Sequence, residues 1–598
     1  MPAIRFFFTY SKEFLRRWGS YTLLIIGTNL ALTYIAIPVF QFLTAEILKL
    51  GNIPYVSNTN ILNILTKHPA VLAALLLLML LIFALIFWQF TFQLLGIRVL
   101  QTNSQESFWR NFKTAILQMR YLRPGTFFFF IFYFILILPF ANAVFRTPLL
   151  SKVTIPVFIL DYLANNWAVS LLLLLLSGIV YYIGIRLLFV LPLMIFKQYR
   201  AWAAVRESWQ LTAKHFWRYV LQIFFLSFVL SLISGIGFEV SYLLQVLFDQ
   251  LPGKLPLIFA MLNLTGVQMF SQFMIGWTSV LYFSLLVQKF YPLVVNEENA
   301  LKIKWVLWTR LIAGAVILIF GGSALIANGL YLAGLYPLEP LVISHRGVDN
   351  QNGVQNTIPA MTKTMKIKPD YIEMDIHETK DHQFVVMHDE NLKKLTGVNK
   401  APYQLTLAEL TELTAHENGY SAKIASFDDY LAYANQHKQK LLIEIKTTSH
   451  DSKDMLERFI QKYQQNILTN QHQIQSLDYQ VVSGLKEKAP KLFVSYILPF
   501  NLTFPQTVAN AYTMEETTLT SEFIEQATSA NKQVYAWTVN DSDSMDRMMF
   551  MGADGIITDN ITLLKEQIKN FQDNPSYAKR IELYINRLPS FDGKPQEN

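Results

Sequence analysis

Apolar positions run in unbroken blocks from the start of the chain to about residue 335, then break into short runs. Blocks such as VLAALLLLMLLIFALIFWQF reach the roughly 20 residues that a helix needs to cross bilayer hydrocarbon. Seven such stretches stand at 21–43, 70–96, 125–145, 167–196, 219–247, 267–288 and 309–334. Ahead of the sixth, LPLIFAMLNLTG is apolar but too short to cross alone. It is expected to form a re-entrant or interfacial turn, or to bring the spans to eight.

From residue 341 the pattern changes. Short β-branched runs (LVISH, YIEMDI, FVVMH, LLIEIK, IQSL, FVSYI, NAYT, VYAWTV and GIIT) recur between helix-like stretches. Strands alternating with helices predict a parallel sheet, and the 258 residues from 341 onward suit the ~250 of a (β/α)8 barrel. Nine runs compete for eight places, so one must lie off the barrel. The expected fold class is a multi-span α-helical membrane domain (1–335), a short linker (336–340), a TIM barrel (341–568), and a surface helix with a tail (569–598).

Composition sharpens this division. Hydrophobic residues make up 52% and charged ones 16%, against a usual charged share of about a quarter. The absence of cysteine excludes disulfides, thiolate metal sites and cysteine nucleophiles. The formal charge of +7 matters less than its placement. Basic residues sit mainly in loops between apolar spans, which excludes a nucleic-acid partner and implies a bilayer. They crowd the N-terminal tail and the second, fourth and sixth loops, for example Arg98, Arg110, Lys113, Arg120 and Arg123 in the second. By the positive-inside rule these loops and the N-terminus are cytoplasmic. Seven spans then deliver the barrel outside, as part of a multi-pass protein of the cell membrane. No cleavable signal is expected, because the first apolar stretch is too long and lacks a small-residue cleavage site.

Few ionisable residues fall within the spans. Arg186 lies about ten residues from the inner end of the fourth stretch, roughly 15 Å deep and near the midplane. A charge there points either to pairing within the bundle or to a lipid or substrate contact. Glu239, near the outer end of the fifth stretch, does not match that depth and is expected to reach interfacial water.

The chemistry gathers in the second half. Glu373 and Asp375 are two apart in YIEMDIH, so a strand projects both to one face. Such a pair repels unless a cation holds it. In LLIEIK, Glu444 adds a third carboxylate, same-faced with Lys446. Three hard oxygen donors point to Ca²⁺ or Mg²⁺. His345 and His388 both follow apolar strands, and paired imidazoles suit general acid–base work near neutral pH. Arg346 and Lys446 carry the positive charge that a phosphate needs. Each feature alone has a plainer explanation: a structural strand-end His, a solvated Glu-x-Asp, or a Lys446–Glu444 ion pair. Their clustering at strand C-termini, where such barrels keep their active sites, favours chemistry.

The motifs SHRGV, QNT, IEMDIHETKD, VVMHDENLKKLTG, LLIEIK, YAWTVN and GADGIITDN, in this order, resemble those of the glycerophosphodiester phosphodiesterases. The resemblance covers 341 to about 568. The apolar half resembles the membrane domain that precedes this catalytic domain in some bacterial members. The resemblance implies that His345 and His388 are the acid–base pair and that Glu373, Asp375 and Glu444 hold a divalent cation. It further implies that Arg346 and Lys446 contact the phosphate, while Trp537 lines the pocket near the glycerol. The implied reaction releases glycerol 3-phosphate and an alcohol from a glycerophosphodiester, such as a deacylated phospholipid headgroup or the polyglycerol phosphate of lipoteichoic acid. The nucleophile is either the neighbouring glycerol hydroxyl or water.

Two departures stand out. Gln355 replaces a usual Glu, predicting a weaker grip on Arg346; His382 replaces a usual Gly, predicting a different turn type. Alternatives are a phospholipase acting on lysolipids or phosphoinositides, and a non-enzymatic receptor retaining the barrel as a binding module. The sequence is silent on oligomeric state.

Overall fold

A computed structural model of the chain describes residues 2–56, 60–121 except 103 and 105, 131, 133, 147–150, 163, 166–294, 303–332, 339–501, 503–573, 576–586 and 588. The chain divides into two compact units. One holds Met1–Ile53, Asn58–Ala333 and Tyr577–Glu597; the other holds Pro54–Ser57 and Gly334–Ser576.

In the first unit, six helices among the described residues are long and apolar enough to cross a membrane. They are Trp18–Leu50, Pro69–Gln101, Trp167–Lys197, Phe216–Phe248, Leu255–Val287 and Val306–Leu332. The stretch expected at 125–145 lies outside the described residues, apart from Ile131 and Tyr133. LPLIFAMLNLTG forms no separate turn or eighth span: it is the N-terminal part of the continuous helix Leu255–Val287. With lipid as solvent, polar side chains between helices find one another rather than water. Gln101 Nε2 donates to Ser284 Oγ at 2.7 Å, and Asn328 Nδ2 donates to Thr265 Oγ1 at 3.0 Å. Glu239 is exposed, consistent with a place near the interface.

The helix Tyr577–Asn586, expected at the surface, instead packs within this first unit. Its Ile581 is buried in a small core with Ala260, Leu264, Val267 and Leu332. Its start is held by Asp249 Oδ2, which accepts from Ala578 N at 2.9 Å.

The second unit is the barrel. Its strands are β1 Leu341–Ser344, β2 Tyr371–Glu378, β3 Phe384–Val386, β4 Thr414–Glu417, β5 Tyr420–Lys423, β6 Lys440–Ile445, β7 Gln473–Ser476, β8 Val494–Leu498, β9 Ala511–Glu515, β10 Gln533–Trp537 and β11 Gly555–Thr558. Eight run parallel in the order β1-β11-β10-β9-β8-β7-β6-β2, and β1–β2 pairing closes the ring. The surplus run is FVVMH: β3 pairs antiparallel with β2, through Ile376–Val386 and Glu378–Phe384, and lies off the barrel. β4 and β5 form a separate two-stranded ribbon.

Side chains alternate faces along a strand, and this alternation layers the interior. Ile343, Tyr371, Leu442, Ala511, Tyr535 and Ile557 form one apolar cluster. Two residues further along their strands stand His345, Glu373, Glu444, Thr513, Trp537 and Asp559. An apolar floor therefore supports a polar layer at the strand C-termini. Outside the ring, the strands' other faces pack against the helices in the main core.

One buried histidine ties the ring together away from that layer. His472 Nδ1 accepts from Leu441 N at 2.9 Å, and its Nε2 bonds Asn435 Oδ1 at 2.8 Å. Burial, with Lys440 nearby, pushes its imidazole down to about 4. An unfolded histidine binds its proton near 6.5, so this neutral ring contributes stability in full above that pH and loses it as pH falls through about 4. The shift corresponds to about 3 kcal/mol. In thermal-unfolding assays, His472→Ala should lower the melting midpoint of the barrel unit at pH 7.5. Its deficit should shrink toward pH 4; an equal deficit at both pH values would contradict the buried neutral ring.

Candidate active site

The polar layer begins where β1 ends. His345-Arg346-Gly347 forms a tight turn in which Arg346 adopts φ 51° and Gly347 φ 70°. Glycine is needed at 347: a Cβ there would stand 2.9 Å from Tyr430 Oη, in a left-handed backbone. The turn aims the Arg346 N–H at Glu373 Oε2, 2.8 Å away.

Glu373, Asp375 and Glu444 are all buried, and each offers an oxygen within 4.8 Å of the others'. The parallel register sets Asp375 directly beside Glu444. Lys446 Nζ lies 3.1 Å from Asp375 Oδ1 and 2.5 Å from Glu444 Oε1, so it pairs with both. Asn356 Nδ2 donates to Asp375 Oδ2 at 2.9 Å. Gln475 Nε2 reaches Glu373 Oε1 at 3.4 Å and Glu444 Oε2 at 3.3 Å.

These surroundings split the three carboxyls. Burial works to raise Asp375, but Lys446, His388 and Arg346 outweigh it and hold the group below its ordinary range. Burial raises Glu444 despite Lys446, with Asp375 adding to the rise. Glu373 goes furthest up, through burial and the charges of Asp375 and Glu444. A divalent cation relieves this crowding of buried negative charge, and the all-oxygen donor set suits a hard one. The residues fit such an ion. They are the one group of this kind among the described residues.

Each catalytic candidate histidine is gripped at Nδ1 by a carboxylate. His345 Nδ1 meets Asp559 Oδ1 at 2.8 Å, and His388 Nδ1 meets Asp389 Oδ1 at 2.8 Å. Asp559 is positioned in turn by Asn540, whose Nδ2 donates to Oδ2 at 2.8 Å. Burial works to raise Asp559; the His345 contact and Asn540 outweigh it and leave the carboxyl lowered. Burial carries His388 down to about 4, with Lys446 and Arg346 assisting against Asp375. His377, whose Nε2 lies 3.1 Å from His388 O, braces the backbone at that residue.

At Gln355 the outcome differs from the expected loose grip. Arg346 Nη1 donates to Gln355 Oε1 at 2.6 Å. Gln355 is itself clamped by Glu417 of β4, which accepts from its Nε2 at 2.6 Å and its N at 2.9 Å. The carboxylate missing beside Arg346 is thus supplied one residue further back. His382 takes up a left-handed backbone (φ 58°), a conformation open to glycine, and its Nδ1 bonds Glu378 Oε1 at 3.1 Å. Trp537 ends β10, its Nε1 donating to Thr513 O at 3.3 Å.

The site opens into a cavity of about 810 Å³, lined among others by His388, Glu444, Lys446, Lys393 and Lys394. A second cavity of about 760 Å³, with Lys400, Tyr403 and His450, shares Glu390, Asn391 and Thr447 with the first. The two form one groove leading from the carboxylates, lined by lysines and by the acids Asp389, Glu390 and Asp478 alike.

Comparison with known proteins shows the class to which this barrel belongs, the phosphoric diester hydrolases. Residues 7–324 match the membrane domain of glycerophosphoryl diester phosphodiesterase, and residues 345–563 match the glycerophosphoryl diester phosphodiesterase family. The chain belongs to this family, as a multi-pass membrane protein that carries both domains. A glycerophosphodiester phosphodiesterase of Caldanaerobacter subterraneus is 28% identical over 231 residues, covering 37% of this chain and 95% of the relative. Human lysophospholipase D GDPD1 is 26% identical over 277 residues, covering 38% and 86%. Among solved structures, a glycerophosphodiester phosphodiesterase from Parabacteroides distasonis is 23% identical, with a TM-score of 0.35 over 40% of this chain and all of that one. An Oleispira antarctica phosphodiesterase in complex with the product sn-glycerol-3-phosphate is 18% identical, with a TM-score of 0.34 over 38% and 97%.

Proposed function

We propose that this membrane-anchored enzyme uses a divalent cation, Ca²⁺ or Mg²⁺, to release glycerol 3-phosphate from glycerophosphodiesters outside the cytoplasm. One observation carries this reading: two imidazoles, each held at Nδ1 by its own carboxylate, stand with a buried three-carboxylate cluster at one barrel mouth. A histidine bonded at Nδ1 has Nε2 left for proton transfer. One Nε2 takes a proton from the attacking hydroxyl and the other gives one to the leaving oxygen: attack by water yields glycerol 3-phosphate directly, whereas attack by the neighbouring glycerol hydroxyl yields a cyclic phosphate that water then opens. Arg346 and Lys446 orient the phosphoryl oxygens, and Trp537 packs against the glycerol. A cation held by Glu373, Asp375 and Glu444 would draw charge from those oxygens. The groove carries Lys393, Lys394 and Lys400 beside Asp389, Glu390 and Asp478, and these lysines would meet a second phosphate of a substrate such as polyglycerol phosphate. The alternating Lys/Arg loops support a cytoplasmic N-terminus and an outward barrel.

The printed name of the human relative brings lysophospholipids in as the competing substrate class. Intact cells producing the enzyme are offered polyglycerol phosphate, glycerophosphocholine or lysophosphatidylcholine, and metal-dependent glycerol 3-phosphate release is measured in the medium. Polyglycerol phosphate should be hydrolysed fastest. Activity confined to lysed cells would reverse the orientation, and fastest loss of lysophosphatidylcholine would replace the substrate class. Inactivity on all three, with intact or lysed cells, would refute the reading.

A further inference from the structure

Arg186 remains outside this chemistry, and its surroundings differ from those expected at a bilayer midplane. The helix Trp167–Arg186 ends at this residue after 20 residues, about 30 Å, which spans the hydrocarbon by itself. Its outward leucines Leu171, Leu172, Leu174, Leu175 and Leu176 are exposed, whereas everything from Leu187 to Ile195 is buried in protein. Tyr181, Tyr182, Tyr199, Trp202, Trp209 and Trp217 are exposed around the break. Tyrosine and tryptophan gather at membrane–water interfaces, so Arg186 lies at headgroup depth rather than at the midplane.

The break is built rather than frayed. Ser208 Oγ donates to Arg186 O at 2.8 Å and accepts from Phe189 N at 3.2 Å, stitching both sides of the gap to the helix Ala201–Ala213. The Arg186 side chain, only 5% exposed as a residue, lies with its guanidinium carbon 4.4 Å from the centre of the Trp209 ring and 6.0 Å from that of Tyr182. Its Nε has no hydrogen-bond partner, and it forms no ion pair among the described residues. Aromatic faces hold a cation in place without neutralising it. A buried cation left in this state calls for an anion. The adjoining segment carries exposed Lys197, Arg200, Arg206, Lys214 and Arg218 against a single acid, Glu207. A basic, tryptophan-bearing amphipathic helix of this kind attracts anionic lipid surfaces.

We propose that Arg186, clamped by Trp209 and Tyr182, binds the phosphate of an anionic phospholipid headgroup, with the surrounding lysines and arginines concentrating such lipids at the site. The site belongs to the membrane unit and is independent of the barrel's substrate. The lipid rather than a soluble phosphate is the occupant, because exposed apolar side chains flank the cation and offer a surface for acyl chains.

The test uses the full-length protein, delipidated in detergent and titrated with phosphatidylglycerol or phosphatidylcholine, with bound lipid counted by native mass spectrometry. Phosphatidylglycerol should bind at least tenfold more tightly than phosphatidylcholine. Arg186→Met should remove that preference, Arg186→Lys should keep part of it, and Trp209→Leu should weaken it with the cation still present. Arg200→Ala with Arg206→Ala should leave the bound stoichiometry intact and reduce only its salt sensitivity. If Arg186→Met does not fold, the Trp209→Leu titration and the wild-type preference decide. Equal binding of the two lipids by the wild type, or an undiminished preference in Arg186→Met or Trp209→Leu, would overturn the site. Displacement of phosphatidylglycerol by millimolar glycerol 3-phosphate or inorganic phosphate would reassign it to a soluble anion.

Discussion

Asp375→Asn should lower turnover by about 10²-fold or more while leaving the barrel folded, since losing even an outer partner of a metal site typically costs 10–100-fold. Asp375 is the carboxylate around which the others are arranged. It lies beside Glu444 in register, takes Lys446 at 3.1 Å, and accepts from Asn356 at 2.9 Å. Its neighbours hold it ionised against the effect of burial, so it brings a full charge to the cluster. The amide keeps the shape and the Asn356 contact but removes that charge, and Lys446 then leans wholly on Glu444. Calorimetric titration with Ca²⁺ and Mg²⁺ should show weakened binding alongside the loss of rate. In the wild type, excess chelator should abolish turnover, and the ion that restores it identifies the metal. Undiminished turnover in chelator, or in Asp375→Asn, would eliminate the cation from the mechanism.

The second large effect concerns the imidazoles. His345→Ala and His388→Ala should each reduce turnover by about 10²–10⁴-fold, the usual worth of a positioned acid or base. The double variant should fall well short of the product of the two losses, as for groups that act as a unit. Asp559→Asn and Asp389→Asn should cause smaller losses, because each orients its histidine through Nδ1 without touching the substrate. Steady-state kinetics on a soluble glycerophosphodiester measures all five. Wild-type turnover in either single histidine variant would remove that residue from the reaction.

The parts of the site that were legible in the sequence are those written along a single strand. Glu373 and Asp375 share a face because strand side chains alternate, and the same rule pairs Glu444 with Lys446. Contacts between distant loops were not legible. Asp559 lies in a motif that sequence comparison picks out, yet its partnership with His345 bridges 214 positions and depends on β1 lying beside β11. Glu417 sits on a ribbon that carries no motif, so its hold on Gln355 could be found only in three dimensions. Asn356 and His377 belong to quoted motifs, but their partners, Asp375 and the backbone of His388, emerge only once the loops close. The helix break at Arg186 was not legible either, because hydropathy runs on through Lys197 while the helix breaks where Ser208 intervenes. Hydropathy likewise gave no reason to join 255–266 to the following span, although one helix runs through both.

The docking of Tyr577–Asn586 sets an order of events as the chain is made. About 245 residues separate Leu332 from Tyr577, and the whole barrel lies between them. At typical rates of synthesis the ribosome needs roughly 10–50 s to cross that distance. Throughout that interval Ala260, Leu264, Val267 and Leu332 await Ile581, the residue that completes their small core. The membrane unit, begun first, therefore cannot be completed until the whole catalytic unit has been synthesised.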